Sequence, residues 1–395
     1  MKAMVDEVRQ ELTGHIIPFW LGLRDDRRGG FIGLVDARLV RHPDADRGCI
    51  LNSRILWFFS ETYRLKGGDE LLDAAKHAYA MLKRMTDTER GGVFWSLRAD
   101  GAPADTAKYT YCQAFAVYAL AAYHRACGDG EALQRADALF DVIEERCRDD
   151  GGYLEAFGAD WSPRGNVMLS GNGVTADRTM NTLLHVLEAY TGLYEAAGEE
   201  KVRRKLYEIF DLFEKRIYSP EKHRQEVFFD RGYRPLIDLT SYGHDIETSW
   251  LADRALDVLN DPALTARIRP KLTDLADAVL REAFDGHGVA NEREGGRTDT
   301  DRIWWVQAEA LLGFMNAWQR TGQERFRRAV LSQWAYIRDH IVDRRPGGEW
   351  YWLVHEDDAP GDEPAADPWK CPYHNGRMAV EVLRRLGGDA EKEGT

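Results

Sequence analysis

The sequence lacks any apolar run long enough to cross a membrane, since no stretch approaches about 18 uninterrupted apolar residues. Its first residues, MKAMVDEVRQELTG, carry charges throughout and lack the apolar core of a secretory signal. Cysteine is scarce, with five residues in 395, and none of them forms a CxxC or zinc-like spacing. An odd, scattered set is typical of a reducing compartment. We therefore expect a cytoplasmic protein without a membrane span.

Common catalytic signatures are also missing. There is no glycine-rich phosphate loop, no GxSxG and no HExxH. The formal net charge of -13 disfavours nucleic acid and anionic membranes as partners and suits a neutral small molecule. Hydrophobic residues make up 44% of the chain and charged residues 30%, as in ordinary globular proteins. We expect a monomer or weak dimer.

What the sequence does contain is one unit repeated six times. Each unit starts with a glycine-led or aromatic-rich segment, followed by an aromatic helical stretch and then a more charged one. The six starting segments are GGFIGLVD, GGVFWSLRADG, GGYLEAFG, QEVFFDRGY, HGVANEREGG and GGEWYWLVHED. Near the start of the aromatic stretches stand Arg54, Tyr111, Asn181, His244, Trp305 and His374. A regular period of this kind indicates a repeat architecture.

Two classes of helical stretch alternate along the chain. Six have one charged face, which is typical of helices with one side in water; they lie near 3–22, 69–86, 130–148, 199–218, 261–283 and 323–342. Six are apolar around most of their circumference and are therefore expected to be buried on most sides; they lie near 48–65, 108–127, 177–197, 241–259, 302–321 and 372–387. This alternation predicts six inner and six outer helices.

A closed ring fits this pattern better than an open solenoid. The last inner helix lacks an outer partner and the first outer helix lacks an inner one, so closure pairs the two. We therefore predict an all-α fold, an (α/α)6 barrel, with short β-hairpins at its mouth. Residues 1–387 form a single catalytic domain in this prediction, and 388–395 form a disordered tail. The acidic, proline-rich segment 357–367 is predicted to be a loop over the mouth.

The most specific motif is SYGHDIETSW, which contains His244 and Glu247. The two residues are three apart at the start of a helix and share a face. A carboxylate beside an imidazole raises its basicity and fixes its tautomer, as a general base requires. The alternative is a buried His–Glu pair that serves only the fold.

Two further histidines are predicted at the same level of the ring. His374, in DPWKCPYHNGRM, begins a helix five residues after Trp369 and would give a second base facing the same cavity. Asn181 and His185 lie four apart in TMNTLLHVLEAY, so they share an inner face. Asn181 is expected to hold a hydroxyl and His185 to titrate, although His185 fits equally well as a core histidine.

Aromatic and charged residues complete the candidate pocket. In RIWWVQAEA, Trp305 is expected to stack on a sugar face and Glu309 to accept hydroxyl hydrogen bonds, whereas Trp304 fits the core. Arg54 is a full charge on an otherwise apolar helix, which is costly unless it is paired or functional. Tyr111 stands at the equivalent place in the next repeat, with Tyr109 as the alternative.

A metal site is the less favoured interpretation of these residues. His185, His244, Glu247 and His374 could ligate an ion. Tryptophan-rich surroundings suit sugar stacking better than a hydrated cation, so we expect no metal and no cofactor.

Together the motifs SYGHDIE, WWVQAEA, DPWKCPYHNGRM, NTLLHVLEAY and LNSRILWFFS resemble the N-acylglucosamine 2-epimerase superfamily, and within it the cellobiose 2-epimerase branch most closely. The resemblance covers essentially the whole chain and implies an (α/α)6 barrel that inverts C2 of a reducing-end sugar without a metal. It implies an acid/base pair of His244 and His374, with Glu247 as the partner of His244 and His185 as a third catalytic histidine. Substrate contacts are implied for Arg54, Tyr111, Asn181, Trp305, Glu309 and Trp369.

The expected reaction opens the pyranose, removes the C2 proton to give a cis-enediolate, and reprotonates C2 from the other face. One imidazole is expected to be neutral and the other protonated at neutral pH. Mannose 2-epimerases share much of the pattern, and reprotonation at C1 would make the enzyme an aldose–ketose isomerase. A glycoside hydrolase using Glu247 and Glu309 and a sugar-binding barrel without turnover are the two rival interpretations.

Overall fold

The structure is a computed structural model that describes residues 1–166 and 172–392, the last five of these by their backbone only. Within these ranges helices dominate. In chain order they are α1 (Lys2–Glu11), α2 (Ile17–Leu21), α3 (Cys49–Lys66), α4 (Asp69–Arg84), α5 (Thr110–Cys127), α6 (Gly130–Arg146), α7 (Met180–Ala197), α8 (Glu200–Leu212), α9 (Tyr242–Leu259), α10 (Pro262–Glu282), α11 (Trp304–Thr321), α12 (Glu324–Tyr336) and α13 (His374–Lys392). A π-helical turn, Leu12–Ile16, joins α1 to α2, which together make one outer helix.

The helices form a closed double ring. Each of α3, α5, α7, α9 and α11 packs against the next inner helix, and α13 packs against α3. Outer helices α4, α6, α8, α10 and α12 each cover the inner helix that precedes them, and α1 covers α13. The predicted (α/α)6 barrel is confirmed, including the pairing of the first outer helix with the last inner one.

Short strands form a rim at the start of the inner helices. They are β1 (Arg47–Gly48), β2 (Ser96–Leu97), β3 (Pro103–Asp105), β4 (Lys108–Tyr109), β5 (Arg148–Asp149), β6 (Gly152–Tyr153), β7 (Ala156–Phe157), β8 (Pro163–Arg164), β9 (Arg178–Thr179), β10 (Tyr218–Ser219), β11 (Arg224–Gln225), β12 (Phe228–Phe229), β13 (Leu239–Ser241), β14 (Glu292–Glu294), β15 (Arg297–Asp299), β16 (Arg302–Ile303) and β17 (Leu353–Val354). The strand that enters an inner helix pairs with the hairpin of the following repeat, as in β1–β2, β4–β7, β9–β12, β13–β14 and β16–β17.

The rim is closed by one more antiparallel link. The amide of Val35 donates to the carbonyl of Ala366 at 2.8 Å, and the amide of Ala366 donates back at 3.2 Å. This pair joins the first glycine-led segment to the end of the predicted loop 357–367. Each repeat is thus hydrogen-bonded to the next all the way around the mouth.

Local sequence explains why the inner helices start and stop where they do. In α5, every residue from Thr110 to Tyr123 is buried, as expected for a helix that is apolar nearly all round. Its end is set by Gly128, which adopts the left-handed conformation with φ 76°. Gly198 and Gly322 end α7 and α11 in the same way, both at φ 69°.

The last helix extends into the predicted tail. Helix α13 continues to Lys392, and residues 393–395 lie outside the described residues. The single catalytic domain over 1–387 and the disordered tail stay predictions. None of the described helices combines the length and apolar character that a membrane span requires.

The close approach of α9 and α11 gives a stability prediction. A Cβ on Gly313 would lie 2.4 Å from Cγ1 and 2.8 Å from the backbone oxygen of Ile246. Because backbone cannot yield easily, Gly313→Ala is expected to lower the free energy of unfolding by about 1–3 kcal/mol in urea titrations. Gly14→Ala is the control, since nothing lies within 4 Å of a Cβ there. An unfolding midpoint for Gly313→Ala equal to that of Gly14→Ala would contradict the prediction.

Candidate active site

The predicted site residues gather at the N-terminal ends of the six inner helices. Arg54 lies on α3, Tyr111 on α5, Asn181 and His185 on α7, His244 and Glu247 on α9, Trp305 and Glu309 on α11, and His374 at the first position of α13, with Trp369 in the segment before it. Helix N-termini carry partial positive charge, so this end of the barrel favours an anion.

His244 and His374 both contact one indole, that of Trp305. The ring centroid of Trp305 is 4.8 Å from that of His244 and 5.6 Å from that of His374. His244 and Trp305 are half-buried, whereas His374 is 6% exposed. Two imidazoles that are remote in the chain are therefore brought to the same indole.

The predicted pairing of His244 with Glu247 is wrong. Nδ1 of His244 lies 2.7 Å from the hydroxyl of Ser241, the residue that precedes α9. Glu247 instead pairs with Arg377, whose Nη2 donates to its Oε1 at 2.6 Å. His244 is hydrogen-bonded to the hydroxyl of Ser241 and Glu247 to the guanidinium of Arg377, rather than to each other.

Glu309 is hydrogen-bonded to His374, whereas the sequence predicted that it binds a sugar hydroxyl. Its Oε1 lies 2.8 Å from Nδ1 of His374 and accepts from Nη2 of Arg377 at 2.7 Å. Its Oε2 accepts from Nε1 of Trp250 at 2.9 Å. Glu309 is fully buried, with both oxygens engaged by protein groups. The predicted direct contact of Glu309 with substrate does not fit this arrangement.

His185 is buried deeper than the other two histidines. It is 2% exposed, and its Nδ1 lies 2.9 Å from Oε2 of Glu188, one turn further along α7. Its ring meets that of Tyr111 edge-on at 5.0 Å. Nε2 of His185 lies 3.9 Å from Oε2 of Glu247. The third histidine thus belongs to the same cluster of side chains.

Arg54 is a buried cation that contacts neutral groups. Its Nη2 donates to the hydroxyl of Tyr111 at 2.9 Å, and its Nη1 donates to the backbone oxygen of Trp369 at 3.3 Å. Its Cζ lies 4.2 Å from the ring centroid of Phe115. Among the described residues, no carboxylate lies within ion-pair distance of this guanidinium. Tyr111, rather than Tyr109, is therefore the tyrosine beside Arg54.

The remaining predicted residues divide between the site and the core. Asn181 is half-buried, and its buried Oδ1 has no hydrogen-bond partner among the described residues. Trp304 is 3% exposed and packs against Trp352 with centroids 4.5 Å apart, as expected for a core residue. Trp369 is half-buried and packs against Trp95 at 5.5 Å.

Several residues of the cluster were not predicted, namely Arg377, Glu188, Tyr373, Trp250 and Ser241. The motif HVLE in α7 has the same spacing as HDIE in α9, which could have indicated a pair there. Arg377 follows His374 by three residues, and a charge at that position on a buried helix is also an available signal.

The electrostatics leave both imidazoles neutral at pH 7. Burial and the nearby His185 lower the pKa of His244 to about 3. Burial, together with the positive charges of Arg54 and Arg377, holds the pKa of His374 well below its ordinary value. The expectation that one imidazole is protonated in the free enzyme therefore does not agree with the site. Burial and repulsion from Glu309 raise the pKa of Glu247 to about 8.

A metal ion would compete with a cation that is already there. Glu247, Glu309 and His374 place one ligand atom each within 4.8 Å of one another. Arg377 donates to Oε1 of both carboxylates. Its guanidinium therefore already neutralises the negative charge that a metal ion would neutralise. These carboxylates are therefore the acceptors of a hydrogen-bond network centred on the guanidinium of Arg377.

Comparison with known proteins agrees with the geometry. The family model for N-acylglucosamine 2-epimerase (GlcNAc 2-epimerase) matches residues 29–375. The cellobiose 2-epimerase of Eubacterium cellulosolvens is 48% identical over 394 residues, covering 95% of this chain and 97% of that protein. A cellobiose 2-epimerase of Ruminococcus albus is 49% identical over 386 residues, covering 97% and 99%. The solved structure of cellobiose 2-epimerase from Bacillus thermoamylovorans superposes with a TM-score of 0.94 at 43% identity, covering 98% and 100%. The chain belongs to the N-acylglucosamine 2-epimerase family.

Proposed function

We propose that the protein inverts C2 of the reducing-end aldose in cellobiose and related β-1,4-linked disaccharides, converting the glucose to the mannose configuration. The observation that carries this proposal is the placement of two imidazoles, His244 and His374, beside the same indole, that of Trp305. The names of the most similar relatives support the choice of a disaccharide. A cytoplasmic location and a monomeric or weakly dimeric state belong to the proposal and rest on the sequence.

His374 is suited to be the base that removes the C2 proton. Arginine and tryptophan side chains can only donate hydrogen bonds, so both oxygens of Glu309 act as acceptors. The contact between Glu309 and Nδ1 of His374 then needs the proton on Nδ1. This leaves a lone pair on Nε2, which is what abstraction of a proton requires.

In the opened sugar, the C2–H bond breaks and its electrons form a C1–C2 double bond, while the aldehyde oxygen becomes an enediolate oxyanion. Arg54 stabilises that charge, helped by the N-termini of the inner helices. Tyr111 holds Arg54 in place through its hydroxyl. Asn181 is suited to hold a sugar hydroxyl, and Trp305 and Trp369 provide stacking faces.

His244 completes the reaction on the opposite face. After rotation about the C2–C3 bond, His244 takes up a proton from solvent beside the enediolate charge and delivers it to C2. The C1–C2 double-bond electrons form the new C2–H bond, and the oxyanion electrons re-form the C1 carbonyl. Ser241 orients the ring through Nδ1. Because His244 is half-buried, it exchanges protons with solvent, so solvent hydrogen enters the product.

Incubation with cellobiose in deuterated water tests the proposal. We expect deuterium at C2 of an epimerised disaccharide, and we expect His244→Ala and His374→Ala each to lose that exchange. Wild-type exchange in either variant would remove the assigned role of that histidine. A parallel incubation with mannose measures the preference for disaccharide over monosaccharide, and ketose formation measures aldose–ketose isomerase activity.

Glycoside hydrolysis and sugar binding without turnover are less compatible with the site. A hydrolase needs two carboxylates facing the glycosidic bond, whereas Glu247 and Glu309 are buried and both accept from Arg377. Formation of glucose from cellobiose would support hydrolysis. Sugar binding that survives loss of both His244 and His374, with no product from the wild type, would support a binding barrel.

The pKa shifts predict the acidic limb of the pH–rate profile. A base must be neutral to act, and burial with the charges of Arg54 and Arg377 lowers the pKa of His374, the proposed base. Protonation, and with it loss of activity, therefore requires a lower pH than for free imidazole, whose pKa is about 6.5. We expect kcat/KM for cellobiose to fall with a midpoint below about pH 6.5. Initial rates in overlapping buffers check this, and a midpoint above that value would contradict it.

A further inference from the structure

Arg377 lies where four inner helices meet. From α13, its Nη1 donates to Oε1 of Glu188 on α7, and its Nη2 donates to Oε1 of Glu247 on α9 at 2.6 Å and of Glu309 on α11 at 2.7 Å. The side chain is 1% exposed. One guanidinium thus serves three buried carboxylates from three different helices.

Aromatic rings fix the guanidinium in this position. Its Cζ lies 4.1 Å from the ring centroid of Tyr373 and 4.9 Å from that of Trp250. The hydroxyl of Tyr373 also contacts Oε2 of Glu188. A flat, delocalised cation suits this setting, whereas a lysine ammonium is a point charge without the planar fork.

Two of the three carboxylates hold a histidine. Glu188 binds Nδ1 of His185 at 2.9 Å and Glu309 binds Nδ1 of His374 at 2.8 Å. Glu247 keeps its Oε2 without a hydrogen-bond partner among the described residues. Ionising all three carboxylates around one cation would cost much free energy in the buried interior. Burial and repulsion from Glu309 raise the pKa of Glu247 to about 8, which favours a proton on Glu247 at pH 7.

The protonation state of Glu309 decides the tautomer of His374. An ionised Glu309 accepts from Nδ1–H and leaves the lone pair on Nε2. A protonated Glu309 would donate to Nδ1 and move the ring proton to Nε2, which abolishes the base. Burial raises the pKa of Glu309, and Arg377 opposes that effect.

We infer that Arg377 is a positioning residue for the reaction, which keeps Glu188 and Glu309 as acceptors and so fixes His185 and His374 in the Nδ1–H tautomer. The link to epimerisation rests on the proposed function, but the tautomers themselves do not. No substrate contact of Arg377 is required. Its effect passes through the two carboxylates.

Other charged and titratable groups also face this cluster. They are Arg54 on α3, Tyr118 on α5, His185 on α7, His244 on α9, and Tyr373 and His374 on α13. Arg54 and Arg377 both lower the pKa of His374. Removal of either cation is therefore expected to move the acidic limb of the rate profile to higher pH.

Arg377→Lys and Arg377→Met test the inference with cellobiose as substrate. We expect kcat to fall about tenfold or more for lysine and about 100-fold or more for methionine, with KM changed less than about threefold. We expect the acidic limb of kcat/KM to move upward in pH, and further for methionine because it also removes the charge.

Nitrogen-15 NMR of the histidine rings provides a readout that needs no sugar. In the wild type, Nε2 of His374 should have the shift of an unprotonated nitrogen and Nδ1 that of a protonated one. In both Arg377 variants these shifts should move toward a mixture of tautomers. The His374 resonances are identified by their absence from the spectrum of His374→Asn.

Arg384→Met is the matched control on the same helix. Arg384 forms a partly buried ion pair with Glu61, so its loss should lower stability without changing the pH profile or the His374 shifts. Wild-type shifts and pH profile in folded Arg377→Lys would overturn the inference, whatever the loss of kcat. If Arg377→Met does not fold, the lysine variant decides. Absence of deuterium at C2 with the wild type would sink the proposed function, while the sugar-free NMR result would still support or overturn this inference.

Discussion

Replacing His374 by asparagine is expected to lower kcat for cellobiose about 1,000-fold, with KM changed less than about tenfold. Asparagine keeps an N–H donor that can reach Glu309, so the buried carboxylate retains a partner. It has no lone pair of suitable basicity to take the C2 proton. A loss confined to kcat is the signature of a group that acts in the transition state.

Initial rates and deuterium exchange into the substrate measure this effect. His77→Asn is the control, because His77 is also partly buried and bonds the backbone oxygen of Gly30 at 2.8 Å on the outer side of the barrel. That variant should keep kcat within about twofold of the wild type. Exchange at C2 that continues at more than a tenth of the wild-type rate in His374→Asn would show that another group is the base.

Replacing Arg54 by methionine is expected to change activity and stability in opposite directions. kcat/KM should fall about 100- to 1,000-fold, because the enediolate loses the cation that neutralises it. The free energy of unfolding should stay equal or rise, because Arg54 is 3% exposed and contacts a tyrosine hydroxyl, a backbone oxygen, a thiol and aromatic rings, none of which carries a neutralising charge. Burial of an uncompensated charge is costly, and methionine removes that cost.

Kinetics with cellobiose and urea titrations check the two effects. Arg47→Met provides the contrast, since Arg47 is also fully buried but pairs with Asp25 at 2.8 Å. That change leaves a carboxylate without its partner and should lower stability by about 3–5 kcal/mol while kcat/KM in the folded protein is kept. A strongly destabilised Arg54→Met with normal kcat/KM would show that Arg54 is structural.

Most of the fold could be predicted from patterns that are local in the sequence. Apolar faces at helical spacing predicted both rings of helices. Ring closure could be predicted because the first outer helix would otherwise lack an inner partner and the last inner helix an outer one, and α1 does pack on α13. The equivalent register of the repeats then brought His244 and His374 to one end of the barrel.

The side-chain partners within the site could not be predicted in the same way. HDIE in α9 and HVLE in α7 have identical spacing, yet Glu188 binds His185 while Glu247 does not bind His244. The difference lies in the surroundings, because Ser241 offers its hydroxyl to His244. The placement of Arg377 among three carboxylates depends on helices that are far apart in sequence. Local residue spacing does not predict contacts between such helices.

The hydrogen-bonded rim has a consequence for how the protein melts. Open repeat arrays begin to unravel at their terminal units, which have one neighbour instead of two. Here the link between Val35 and Ala366 gives the first and last units two neighbours each. Unfolding of any one repeat would expose the apolar surfaces of both neighbouring repeats. The barrel should therefore unfold on heating in one cooperative transition, without a partly unfolded form that is still active.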